Sequence, residues 1–67
     1  MVTITVNGDT KSIAADTSVW GFLSGLGLDP KKVAVERNLV IVSKSTFKEV
    51  TLADGDELEI VHFIGGG

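Results

Sequence analysis

The chain has 67 residues, 43% of them apolar, with one Trp, no Tyr and no Cys, which suits one small domain and excludes a disulfide framework, a thiol nucleophile and thiolate metal sites. A net charge of −3 with only six Lys and Arg offers little to hold phosphates, so proteins with basic surfaces are expected as partners and nucleic acid is not. A core of this size yields only about 3–5 kcal/mol, which argues against a deep, self-sufficient active site.

The first residues, Met1-Val2-Thr3-Ile4, read as a strand and contain neither a basic leader nor a long apolar run. No signal peptide and no membrane span are expected, and the expected location is cytoplasmic. Val2, Ile4 and Val6 alternate with Thr3 and Thr5, the period of a half-buried strand. Asn7-Gly8 supplies the positive φ of a tight turn, and Thr10 to Ala14 returns with Ile13 inward, predicting an N-terminal hairpin.

Asp16, Thr17 or Ser18 can cap a helix whose apolar stripe is Val19, Phe22, Leu23 and Leu26. Gly27 suits the left-handed residue after its last turn, Leu28 the returning hydrophobic contact, and Pro30 prevents continuation. Gly21 and Gly25 each cost this helix about 1 kcal/mol relative to Ala, so it depends on tertiary packing, and their spacing suggests a close approach. Trp20 lies beside the stripe and is read as covering the margin of the core, with a contact surface as the alternative.

Val33 to Glu36 alternates again, Asn38 marks a turn, and Leu39 to Val42 is a short apolar run, which predicts two further strands. Phe47, Val50 and Leu52 close the far edge of the core, and Asp54-Gly55 turns the chain. In the last strand, from Glu57 to Phe63, parity puts Leu58 and Ile60 inward and Val61 and Phe63 outward, where apolar side chains are better explained by docking than by folding. The predicted class is α+β, with one helix crossing a mixed sheet whose first and last strands lie side by side at its centre.

Other signals carry little chemistry. His62 is the sole histidine and has no second ligand to form a metal site. Asp54, Asp56, Glu57 and Glu59 lack the spacing of a calcium loop and are expected to form a solvated acidic face complementary to a basic partner. The chain ends Ile64-Gly65-Gly66-Gly67. By composition alone this reads more readily as a frayed end or linker, but glycine is thin enough to thread a channel that any side chain would block. A terminal carboxylate there is ionised at neutral pH and a poor electrophile, so its reaction requires activation, typically adenylation.

Leu52-Ala53-Asp54-Gly55-Asp56, the strand Leu58 to His62 and the terminal Gly66-Gly67, with weaker support from Ala34 to Asn38, resemble the ThiS sulfur carriers of thiamine biosynthesis. That resemblance implies a ubiquitin-like β-grasp fold, with four to five strands packed on one α-helix. It implies a domain over 1–64 and a flexible tail over 65–67. The Gly67 carboxylate would be adenylated by an E1-like adenylyltransferase of the ThiF type, which uses ATP, the carrier itself binding no cofactor tightly. Sulfur from a cysteine desulfurase or another donor would give a thiocarboxylate, delivered to a thiazole synthase of the ThiG type. Gly66 would give passage, and Val61, Phe63, Ile64 and Gly65 would meet partners. The small subunit of molybdopterin synthase (MoaD type) and a ubiquitin-like modifier share this kind of ending and stand as alternatives.

Overall fold

The structure is a computed structural model that describes residues 1–62. Strand β1 (Val2–Val6) turns through Asn7 and Gly8 into β2 (Asp9–Ile13), with φ of 47° and 87° at the two turn residues. Positive φ at both central positions matches the right-handed twist of the paired strands, which is why Asn-Gly closes this hairpin. The returning strand begins one residue earlier than predicted, and its register pairs Val6 with Asp9 and Val2 with Ile13.

Helix α1 (Val19–Gly25) starts at Ser18, whose Oγ accepts from the Gly21 N–H at 3.0 Å. A Cβ on Gly21 would lie 3.3 Å from that oxygen, so glycine leaves room for the cap, whereas nothing lies within 4 Å of one built on Gly25. The expected close approach is therefore confined to Gly21. The N–H groups of Val19 and Trp20 donate to the carbonyls of Val50 and Phe47, each at 2.9 Å, so the irregular segment after β4 completes the helix start. At the other end Leu28 N–H donates to Leu23 O (3.1 Å) and Gly27 N–H to Ser24 O (3.0 Å), with Gly27 at φ 81°. This is the predicted left-handed stop. Leu26, placed on the buried stripe by its spacing, is 43% exposed instead, because it forms the cap and Leu28 folds back against the core in its stead.

A 3₁₀ turn over Pro30–Lys32 leads into β3 (Val33–Arg37), which turns at Asn38-Leu39 into a two-residue edge strand β4 (Val40–Ile41). Leu39 holds φ 70° at 89% exposure, a backbone geometry that costs a non-glycine residue about 1–2 kcal/mol. After a second 3₁₀ turn over Lys44–Thr46, Phe47 and Leu52 enter the core, and β5 (Glu57–His62) closes the sheet. Trp20 packs half-buried at the margin of the core, with Lys48 Nζ 4.4 Å from its ring centroid.

The strand order is β2-β1-β5-β3-β4, with β1 and β5 parallel and the other pairs antiparallel. Ile4, Val6, Val33, Val35 and Leu58 cover one face and meet Val19, Phe22 and Leu23 of the helix. Five strands and one crossing helix make the mixed sheet and central β1–β5 pair that the sequence predicts. Among the described residues no helix is long and apolar enough to cross a membrane.

Candidate functional site

The sheet has one face covered by the helix and one left open, and the register decides which side chains lie on each. Glu57, Glu59 and Val61 of β5 alternate with the buried Leu58 and half-buried Ile60, so they share the open face. Val61 pairs with Ala34, Glu59 with Glu36, and Glu36 with Ile41. Val61 is 59% exposed and Ile41 77% exposed. Val61 thus has the outward orientation expected of a docking residue. Of the other residues assigned to the site, Phe63, Ile64, Gly65, Gly66 and Gly67 lie outside the described residues.

The strand that leads to them is held from both sides. On one edge it runs antiparallel to β3 from Arg37↔Leu58 to Val33↔His62. On the other, β1 pairs only through Thr5 and Val6 before its turn. The ladder is then extended by a side chain: Asn7 Oδ1 accepts from Ile60 N–H at 2.7 Å and Asn7 Nδ2 donates to Ile60 O at 3.1 Å. Sequence reasoning gave Asn7 a turn role alone. Its amide carries the same donor and acceptor as a peptide group, so one residue both turns β1 and anchors β5.

The start of β5 is fixed by a buried charge that the sequence reading misplaced. Asp56, expected on a solvated acidic face, is only 5% exposed. Its Oδ2 accepts from Arg37 Nε and from the Ala53 N–H, each at 2.8 Å, and its Oδ1 accepts from Asn38 Nδ2 at 3.1 Å. Asn38 in turn accepts from the Glu57 N–H with Oδ1 (2.9 Å), and its own N–H donates to Glu57 O (2.8 Å). A buried carboxylate survives when its oxygens are paired in this way. The available signal was Asp54-Gly55-Asp56 as a turn in which a carboxylate can reach back to a backbone N–H.

Burial alone would raise the Asp56 pKa, but the Ala53 N–H, the Arg37 and Asn38 side chains and the charge on Arg37 outweigh it and hold the group below its ordinary 3.8. A depressed pKa stabilises the fold fully above the unfolded value and loses that contribution as pH falls through the folded one. Unfolding free energy is therefore expected to drop as pH is lowered below about 4, and the drop should be shallower in Asp56→Asn. Denaturant titrations of both proteins between pH 7 and 2 check this; parallel curves would remove Asp56 from the account of acid stability.

Asp56 belongs to the frame, leaving Glu36, Glu57 and Glu59 as the acidic groups of the open face. Among the described residues no group of three or more His, Cys, Asp or Glu converges as a metal site, and His62 lies exposed at the end of β5. The arrangement is a rigid platform with an apolar and acidic open face, from whose central strand the chain continues toward Gly67.

Comparison with known proteins agrees with this geometry. Residues 4–67 match the model of the ThiS family. The chain is 43% identical over 63 residues to the sulfur carrier protein ThiS of Bacillus subtilis, covering 92% of this chain and 96% of that protein. It is 52% identical over 64 residues to a thiazole synthase of Paramagnetospirillum magneticum, covering 96% of this chain but 20% of that protein. A second thiazole synthase, from Magnetococcus marinus, is 50% identical over 64 residues with the same coverage, so the chain spans about a fifth of the length of these relatives. Among solved structures, the crystal structure of the thiamine biosynthesis protein ThiS from Geobacter metallireducens superposes with a TM-score of 0.83 at 33% identity, covering 98% of this chain and all of that one.

Proposed function

Because the chain belongs to the ThiS family, we propose that it is a sulfur carrier of thiamine biosynthesis, with the sulfur carried at the carbonyl carbon of Gly67. It serves as substrate and co-substrate of other enzymes and is not itself a catalyst. A carboxylate oxygen of Gly67 attacks the α-phosphorus of ATP held by an E1-like adenylyltransferase, and pyrophosphate leaves. The acyl adenylate is the electrophile that the bare carboxylate is not. The terminal sulfur of a desulfurase persulfide then displaces AMP to give an acyl disulfide, a second thiol reduces its S–S bond and leaves as the mixed disulfide, and the resulting thiocarboxylate donates its sulfur in the reaction of a thiazole synthase. The chain has no cysteine, so none of its own thiols can hold the sulfur. Use of ATP by the partner fits a cytoplasmic location.

The observation that carries this reading is that the family match runs through Gly67 and follows a strand clamped at the centre of the sheet. In this reading residues 1–64 act as the body and the glycines 65–67 as the thin segment that enters a partner, with Gly66 giving passage and Phe63, Ile64 and Gly65 making contact on the way. Gly67 is the fifth residue after His62, a reach of at most about 18 Å. An enzyme that works on Gly67 must therefore seat itself against the body, and Val61 is the exposed apolar side chain nearest the end of β5 on the open face.

Val61→Asp is expected to weaken binding to thiazole synthase roughly ten- to a hundredfold while moving the melting temperature by only about 5 °C, since the side chain packs little in the free protein. Calorimetric titration and thermal melts check the two halves. Normal binding with a large loss of melting temperature would place Val61 in the frame instead. Capture of a molybdopterin synthase large subunit in place of thiazole synthase would assign the carrier to the other pathway.

A further inference from the structure

The two edges of the sheet are built differently. β2 carries Asp9, Thr10, Lys11 and Ser12, the polar and charged side chains that keep an edge strand from pairing with another chain. At the other edge the chain reads Leu39-Val40-Ile41, three consecutive exposed apolar residues. Leu39 is the second residue of a turn in which Asn38 and Leu39 both have positive φ, 51° and 70°, a position where glycine is free of strain and leucine is not. Asn-Gly would serve folding there, so a strained and exposed leucine points to a contact. Val40 pairs with Arg37, which pairs with the buried Leu58, so Val40 lies on the face of the sheet that the helix covers, yet it is 67% exposed. It borders a groove of about 430 Å³ whose other walls include Arg37, Val42, Ser43, Thr46 and Val50.

The hydrogen bonds of β4 fix what this edge can accept. Val42 N–H donates to Val35 O at 2.9 Å, so the antiparallel alternation turns the N–H and C=O of Ile41 away from β3, to the free edge. The next outward carbonyl, that of Ser43, already accepts from Thr46 N–H at 2.9 Å, so the usable edge ends there. A single residue with both groups outward can pair with its own copy about a two-fold axis, each Ile41 N–H donating to the other's carbonyl. We propose that β4 is a self-association edge, at which two copies of this chain join antiparallel through Ile41 and the exposed Val40 of each packs on Val42 at the rim of the other's groove. In that register Val40 faces Val42 of the second copy as a non-hydrogen-bonded pair, the kind whose side chains approach most closely, and Leu39 faces Ser43. Charge permits the pairing: on the open face the two Glu36 side chains are held apart by the two Ile41, three strand spacings or about 14 Å, beyond a Debye length in physiological salt. One short strand and its groove are smaller than the roughly 800 Å² per partner of a stable complex, so the dimer forms and dissociates with concentration. Because β3 lies between β4 and β5, Val61 stays open in the dimer, and association does not compete with the carrier reading.

The test uses the full chain at concentrations from about 20 μM to about 2 mM, followed by sedimentation and by hydrogen exchange at single amides. The average mass is expected to rise from 7.0 kDa toward twice that value. Over the same range the Ile41 N–H should gain protection, while the Val42 N–H, already bonded within the chain, changes less. Val40→Lys puts a charge on the edge and is expected to weaken association roughly tenfold or more with little change in melting temperature, since the side chain is exposed. Leu39→Gly should associate less while melting at the same or a higher temperature, because the strained φ is relieved. Ser12→Lys adds the same charge to the opposite edge and should associate as the parent does. A parent chain that stays at 7.0 kDa throughout would overturn the proposal and leave the groove to a segment of another protein. Association that survives Val40→Lys, or that Ser12→Lys abolishes, would overturn the assignment to β4, and so would concentration-dependent protection in the parent centred away from Ile41.

Discussion

Replacing Asp56 with alanine is expected to cost about 2–3 kcal/mol, most of the margin that a domain of this size possesses. The loss comes from what remains behind. The Ala53 N–H and the Asn38 amide lose their acceptor at a part-buried site, and Arg37 loses its counter-ion. Removing one partner of a fully buried pair costs about 3–5 kcal/mol, but the Arg37 side chain is 33% exposed and regains water, which brings the figure down. For a domain of this length the change corresponds to a fall of about 10–20 °C in melting temperature. Arg37→Met should cost less, about 1 kcal/mol, because Asp56 keeps its bonds from Ala53 and Asn38. Thermal and urea denaturation of the two variants check the order; equal losses would mean that the ion pair, and not the satisfied carboxylate, is what the frame depends on.

Deleting Gly67 is expected to have the opposite profile, abolishing ATP-dependent activation with no measurable change in stability. Among the described residues those that form the core or pack against it run no further than Ile60, and the final glycine has no side chain to offer the frame. Its carboxylate is the proposed acceptor of the adenylyl group, and moving that carboxylate back to Gly66 shortens the reach by one residue, about 3.5 Å. Displacement of a reacting atom by even 1 Å can cost a hundredfold in rate, so a shift of this size should leave only background. ATP–pyrophosphate exchange with the adenylating enzyme reads the activation, and a thermal melt reads the fold. Exchange at the parent rate in the truncated chain would move the chemistry away from Gly67.

Much of this architecture is legible in the residues because local signals and the global fold agree. Period-two alternation in Val2–Val6 and Val33–Arg37, the Asn7-Gly8 turn, the Ser18 cap and the Gly27-Leu28-Pro30 stop all point to the elements that form. The parity of β5 also places Val61 correctly on the open face. What sequence reasoning misses depends on contacts between segments distant in the chain. Asp56 sits 19 residues from Arg37 and 18 from Asn38, and no local pattern says that those three converge; a carboxylate in a run of acidic residues reads as solvated until the turn at Ala53 and the end of β3 are brought together. The second role of Asn7 is similar, since its amide reaches Ile60 across 53 positions. Leu26 fails for a more local reason. Its spacing fits the stripe, but the helix has already ended in the cap, and Leu28 takes the position against the core.

In the sequence Glu59 reads as part of an acidic stretch and Glu36 only as the end of an alternating strand. Pairing Glu36 with Glu59 required the β3–β5 register, and with it the acidic composition becomes a statement about one surface. Stability is concentrated in the frame around Asp56 and Asn7, which leaves the open face free to answer to partners.

The most direct measurement is the intact mass of the chain after incubation with its adenylating enzyme, ATP and a sulfur donor, followed by fragmentation. The carrier reading predicts a gain of about 16 Da, one oxygen replaced by sulfur, located at Gly67 and absent without ATP. An unchanged mass, with an adenylating enzyme shown to be active on a known carrier, would contradict it.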